Sequence, residues 1–152
     1  MASNAEKTLT CLVGEYLAAA RLCLKGYPAM LTPRNYEGVD ILVYNSRTNK
    51  QIALQVKTIS ERGSFNFGKY PLPEKKLKDE TITIWVHIKD RAKEKIDFFI
   101  APYGEVARMA QKGHEKWYKE KPETRTLEGN LVNIIGSTDL EKFRDNWKLL
   151  EL

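Results

Sequence analysis

The sequence predicts an α+β fold, α/β in the broad sense, with one mixed sheet flanked by helices. Three observations predict it: a capped amphipathic helix opens the chain, a hairpin of alternating apolar residues follows, and a second strand pair of strong β propensity leads into another helical pattern. The order α-β-β-β-loop-β-β-α-(β)-α clusters strands between helices, as a sheet covered by helices requires. The 152 residues suit one domain, 1–152, long enough to bury a core. No repeat, low-complexity tract or linker interrupts them.

The first helix is signalled by Ser3 and Glu6, a capping-box pair. Leu9, Leu12, Val13, Tyr16, Ala20, Cys23 and Leu24 recur at helical spacing and are expected to face inward. Gly26 supplies the stop. A strand is expected over Tyr27–Leu31, followed by a loop from Thr32 to Glu37 through Arg34 and Asn35. The hairpin pairs Gly38–Tyr44 with Gln51–Lys57 about the turn Ser46-Arg47-Thr48-Asn49. From Ser60 to Glu80 the pattern dissolves among Gly63, Gly68, Pro71 and Pro73, which reads as a long irregular excursion. Ile82–Ile88 and Ile96–Ala101 form the second strand pair, and a helix is expected from Tyr103 to Trp117 with Val106, Met109 and Ala110 inward. A short apolar segment, Leu131–Ile135, precedes a last helix capped by Thr138 with Glu141, whose Leu140, Phe143, Trp147 and Leu150 face the core.

Composition narrows the classes. Charged residues make up 30% and hydrophobic ones 42%, an ordinary globular balance. A net charge of +5 permits a polyanionic partner without requiring one. No apolar run approaches the roughly 20 residues of a membrane span, and the N-terminus lacks the pattern of a signal peptide, so a cytoplasmic protein is expected. Cys11 and Cys23 fall about 18 Å apart on one helix, too far to bridge, and read as reduced, half-buried thiols. His87 reads as a packed strand residue and His114 as a solvated one; two isolated histidines give no zinc spacing.

The hairpin carries the chemistry. Its turn sets Tyr44 opposite Gln51, Leu42 opposite Ala53 and Asp40 opposite Gln55. Alternation then places Asp40, Gln55 and Lys57 on one face and Ile41, Val43, Ile52, Leu54 and Val56 on the other. Opposed residues have Cβ atoms about 4.5–5.5 Å apart, close enough for two oxygens to share a cation. A carboxylate, an amide oxygen and an ammonium on one patch suit metal-assisted phosphodiester hydrolysis. Mg²⁺ or Mn²⁺ would take oxygens from Asp40, Gln55 and the Val56 backbone, beside its waters. Lys57 would orient the attacking water and offset developing charge. The plain alternative is an Asp and a Gln-x-Lys on an exposed sheet face. Beyond Lys57, Arg62, Lys69, Lys75, Lys76 and Lys78 are interleaved with Phe65, Phe67 and Tyr70. The cations suit phosphates, whereas Phe65 and Phe67 read as pins holding the loop to the domain.

The chain resembles the PD-(D/E)xK nuclease superfamily, which includes restriction endonucleases and Holliday-junction resolvases. The resemblance runs through Gly14-Glu15-Tyr16-Leu17-Ala18-Ala19-Ala20, Leu24-Lys25-Gly26-Tyr27, Gly38-Val39-Asp40-Ile41 and Leu54-Gln55-Val56-Lys57-Thr58, roughly the first 60 residues. It implies a restriction-endonuclease-like αβββ-β core. Asp40 matches the invariant aspartate, Lys57 the motif lysine, Gln55 the second acid, and Glu15 the helix glutamate that often completes the metal site. Valine stands for the motif proline. Gln55 removes one negative charge, which implies weaker metal binding. On a helical wheel Glu15 lies at the flank of the apolar stripe, where it either overhangs the sheet near Asp40 or faces water. The resemblance implies a Mg²⁺- or Mn²⁺-dependent deoxyribonuclease with DNA as partner, and it leaves a homodimer open. The alternative is an inactive domain of the same fold that binds nucleic acid or a protein.

Overall fold

Ser3 opens the first helix as the capping box requires: its hydroxyl accepts from the Glu6 N–H at 3.2 Å, and its own N–H donates to the Glu6 carboxylate at 2.6 Å. The computed structural model describes residues 2–33, 36–134 and 136–151. Arg34 and Asn35 of the first loop, and Ile135 of the late apolar segment, lie outside them. In chain order the elements are α1 (Asn4–Leu24), β1 (Ala29–Leu31), β2 (Ile41–Asn45), β3 (Lys50–Ser60), β4 (Phe65–Lys69), α2 (Glu74–Leu77), β5 (Ile82–Asp90), β6 (Lys95–Pro102), α3 (Tyr103–Glu120), β7 (Leu131–Ile134) and α4 (Gly136–Asp139). Two short 3₁₀ turns, Glu141–Phe143 and Trp147–Glu151, follow.

The fold is the expected α+β arrangement. A mixed sheet of order β1-β2-β3-β5-β6 is antiparallel except for the β3–β5 pair, which runs parallel. Alternation gives each face its own core. Leu54, Val56, Ile84, Val86 and Ile88 bury against Ala18 and Leu22 of α1 and against Trp147 and Leu150. On the other face Trp85, Phe99 and Ala101 bury against α3 and the separate β4–β7 ribbon. Among the described residues no helix is long and apolar enough to cross a membrane.

The face of α1 differs from the expected one. Leu9, Tyr16, Ala20, Cys23 and Leu24 are exposed, and the buried line is Gly14, Ala18 and Leu22. Packing distance decides this. A Cβ built on Gly14 would lie 1.8 Å from the Thr58 Oγ1, so the helix crosses β3 through its smallest residue. Both cysteines are exposed as a result, not half-buried.

The excursion from Ser60 to Glu80 is irregular over about half its length, but it contains a strand, β4, and the short helix α2. Phe65 and Phe67 alternate with polar neighbours on β4, which pairs antiparallel with β7 across a bulge at Asn66/Gly68. Both rings are buried against Trp85, at centroid distances of 5.0 and 5.6 Å. They do pin the segment to the core. The last helix, by contrast, is broken. Leu140, Phe143, Trp147 and Leu150 are buried as expected, but on α4 and the two 3₁₀ turns, and Thr138 sits within α4 instead of capping it. Arg144 explains the break: it bridges to Phe99 of β6 and its guanidinium holds Asp97 at 2.7 Å. Asp145 then takes a left-handed φ of 48°. His114 is half-buried, not solvated, with Nε2 3.0 Å from the Leu127 carbonyl oxygen and its ring stacked on Trp117.

Candidate active site

The hairpin register is the expected one through Tyr44–Gln51 and Leu42–Ala53, and it ends at Ile41–Leu54. Asp40 does not continue the ladder as a regular partner of Gln55. Its N–H donates to the Leu54 carbonyl at 2.9 Å, and its carboxylate reaches past Gln55 to accept the Val56 N–H at 2.7 Å. Thr32 fixes the same corner, its N–H donating to the Asp40 carbonyl at 3.0 Å and its hydroxyl to the Val39 carbonyl at 2.6 Å.

This corner creates the site. Beyond Leu54, β3 continues from Gln55 to Ser60 with β5 on one side and no further ladder to β2 on the other. An open strand edge has backbone groups to satisfy, and Asp40 satisfies the first. Val56 directs its N–H and C=O toward the same neighbour, so its carbonyl opens at that edge too. The Gly14–Thr58 crossing sets α1 beside the same stretch, which carries Glu15 to the edge of β3.

A cleft of about 560 Å³ occupies this place. Glu15, Gln55, Val56 and Lys57 line it together. Asp40 does not line it; its carboxylate is tied to the Val56 N–H at the β3 edge. The opposite wall is one that the sequence reading did not assemble: Ser64, Asn66 and Phe67 of the β4 region, then Lys76, Asp79 and Tyr103. Its charges balance, with Glu15 and Asp79 against Lys57 and Lys76. Burial, then the charge of Asp79, pushes the Tyr103 phenol above its ordinary pKa, so the phenol stays protonated. Asp79 is held by its neighbours: its carboxylate accepts the Thr81 N–H at 2.9 Å, and its carbonyl accepts the Gly104 N–H at 2.7 Å. Gly104 is required there, because a Cβ would lie 2.7 Å from the Leu77 carbonyl oxygen. The alternation Phe65-Asn66-Phe67 was the available signal for this wall. Its partner strand lies about 65 residues away, so no local pattern announced the pairing.

The basic residues separate into different roles. Lys76 lies in the cleft, where its Nζ donates to the Phe67 carbonyl at 2.5 Å. Lys78 pairs with Glu74 on the exposed surface of α2, and Lys75 and Lys69 are exposed. Arg62 is exposed at a separate concavity shared with His87 and Lys89. Among the described residues, no group of three or more His, Cys, Asp and Glu is placed to hold a metal ion.

No family model matches this sequence, and no curated protein does either. The fold has a counterpart among solved structures. That of a bacterial homing endonuclease, I-Ssp6803I, matches with a TM-score of 0.56 over 94% of this chain and 91% of that one, at 10% sequence identity. At that identity the likeness is one of fold: this chain has a nuclease-like α+β fold.

Proposed function

We propose that this chain is a metal-dependent nuclease of the PD-(D/E)xK class, in a form with Gln at the second acid, that hydrolyses DNA phosphodiester bonds. The observation that carries the reading is the convergence of Glu15, Gln55, Val56 and Lys57 on one cleft, beside the corner held by Asp40. The fold shared with an endonuclease supports it. Asp40, Glu15, the Gln55 amide oxygen and the Val56 carbonyl would hold Mg²⁺ or Mn²⁺. The chemistry of these donors suits the ion: all are hard oxygens, and two carboxylates beside water and phosphate are what Mg²⁺ ordinarily takes. Such an ion activates water and neutralises phosphate charge. Lys57 places its ammonium beside the reacting phosphate and offsets charge that grows in the transition state. Asp40 also orders the β3 edge through Val56, and α1 holds Glu15 there through the Gly14 crossing.

The test is nicking of DNA with Mg²⁺ or Mn²⁺ by the native protein, Lys57→Ala and Asp40→Asn. Asparagine keeps the acceptor for the Val56 N–H while removing the charge, so the fold persists. Both substitutions should abolish nicking, and Gln55→Glu should tighten Mn²⁺ binding by restoring an anionic ligand. A second reading is an inactive nuclease-fold domain that binds nucleic acid or a protein. The neutral Gln55 and the absence of a three-ligand group among the described residues favour it. Inactivity of native protein and Gln55→Glu on duplex, branched and single-stranded DNA, without Mn²⁺ binding, would establish that second reading over the first.

A further inference from the structure

We infer that the cleft receives one unstacked nucleotide, so that the strand acted on carries an unpaired base at the site. The inference rests on the nuclease reading for the position of the phosphate and adds where the base goes. The first observation is size. About 560 Å³ falls among pockets that enclose a whole small molecule, far more than an ion and a phosphate oxygen occupy.

The second observation is what lines the wall opposite Lys57. Tyr103 is part-exposed, stacked on Trp85 at 5.8 Å with 23° between planes, and 5.5 Å from Phe67. Its ring is therefore held in one orientation at the cleft. Ser64, Asn66, Lys76 and Asp79 surround it with donors and acceptors. An aromatic surface ringed by hydrogen-bonding groups is the chemistry that recognises a nucleobase, by stacking and by its polar edge.

The third observation is independent of both. Among the described residues, the buried side-chain polar atoms without a hydrogen-bond partner are Thr58 Oγ1 and Trp85 Nε1. Both residues line this cleft, and Trp85 is only 1% exposed. Thr58 Oγ1 lies on the other sheet face, beneath α1 at the Gly14 crossing. Buried polar groups are ordinarily paired, so the unpaired Trp85 Nε1 is the group on this wall that an occupant with a polar edge would complete. Lys57 and Trp85 are register partners on parallel strands, about 4.8 Å apart. One nucleotide spans that step, with its phosphate at Lys57 and its base toward Trp85 and Tyr103. A base stacked inside a duplex cannot enter such a cleft unless it is unstacked.

The experiment titrates the protein, in EDTA, with each deoxynucleoside 5′-monophosphate and with deoxyribose 5-phosphate, following tryptophan fluorescence and calorimetric heat. The nucleotides should bind at least about fivefold tighter than the sugar phosphate, the low end of what base stacking contributes. Tyr103→Phe should keep that preference and Tyr103→Ala should lose it. Because Tyr103 also packs on the core, a second arm leaves the fold intact. In a Cys23→Ser protein the exposed Cys11, which lines the cleft, is labelled after folding with a bulky thiol reagent. Labelling should remove nucleotide binding, and bound nucleotide should slow labelling. Equal affinity for nucleotides and sugar phosphate, or binding unaffected by the label, overturns the inference. Cleavage of fully paired DNA without any nucleotide preference would sustain the nuclease reading alone. Nucleotide preference without cleavage on any DNA would remove the nuclease reading and leave a nucleotide site.

Discussion

Replacing Gly14 with alanine is the most direct test of how the fold builds its cleft. The added Cβ would lie 1.8 Å from Thr58 Oγ1, 2.8 Å from its Cβ and 2.9 Å from its Cγ2. Ordinary contacts begin near 3.5 Å, so α1 must move off β3 by about 1.5 Å or Thr58 must leave its rotamer. Thr58 is β-branched and stiff, and it sits on a central strand. Overpacking of this kind costs about 1–3 kcal/mol. Removing a glycine from a helix interior returns about 1 kcal/mol, which leaves a net destabilisation of about 0–2 kcal/mol. The assay is urea unfolding followed by circular dichroism, closed as a double-mutant cycle with Thr58→Ala. That second substitution removes the atom at 1.8 Å, which is itself a buried hydroxyl without a partner. The remaining contact, Cβ to Cβ at 2.8 Å, asks for less than half the movement. The pair should therefore show a coupling of at least about 1 kcal/mol, with Gly14→Ala much milder in the Thr58→Ala background. Additivity within about 0.5 kcal/mol would refute the close crossing, and with it the reason given for the position of Glu15.

Three other outcomes follow from named contacts. Burial alone would raise the Asp97 pKa, but the hydrogen bonds and charge of Arg144, with help from Lys89, outweigh it and hold the carboxyl below its ordinary range. A depressed folded pKa gives stability that is complete above the unfolded value, about 3.9, and lost as pH falls through the folded one. Arg144→Met should cost about 2 kcal/mol and move acid unfolding to higher pH; an unchanged acid midpoint would mean that this pair does not hold the C-terminal turns. Lys76→Met should destabilise the protein by about 2 kcal/mol, since it removes a charge-assisted bond to the Phe67 carbonyl, and thermal melting would read it. Lys75→Gln with Lys78→Gln should leave stability unchanged, because the Lys78–Glu74 pair is exposed. If these lysines contact phosphate, the same pair should lower the slope of DNA affinity against salt by about two units; an unchanged slope would assign them to solubility.

What the sequence disclosed was local. The hairpin was legible because its turn and its alternation agree, so its register could be counted to Leu42–Ala53 and its buried face named. The capping box locates α1, but apolar spacing does not locate its buried face. A hydrophobic wheel weights Leu9, Tyr16 and Leu24, whereas the sheet selected the row through Gly14, where the absence of a side chain is the decisive property. The β4–β7 ribbon was hidden because each strand is short and the partners are distant in the chain. The final residues kept their helical spacing without forming one helix, because Arg144 is drawn to Asp97 and Phe99 on β6. In this last segment periodicity marks the buried residues, and long-range contacts decide on which element they lie.

The same distinction governs the candidate site. Glu15, Gln55 and Lys57 are near one another because β2 stops at Ile41 while β3 runs on to Ser60, and because α1 crosses β3 one residue beyond Lys57. Neither cause is a property of the three residues themselves. Asp40 is the hinge of the arrangement: its backbone is held between Thr32 and Leu54, and its carboxylate ties down the first open N–H of β3. A residue placed in this way has a structural role whether or not it also meets a metal ion. Loss of activity in Asp40→Ala would therefore be ambiguous, because the Val56 N–H would lose its acceptor together with the charge. Asp40→Asn separates the two roles, and Gln55→Glu asks the complementary question by adding charge to a residue that lines the cleft. An inactive Asp40→Asn that melts like the native protein, beside a Gln55→Glu that binds Mn²⁺ more tightly, would place the catalytic charge at this corner. A native-like rate in Asp40→Asn would assign Asp40 to the strand edge alone.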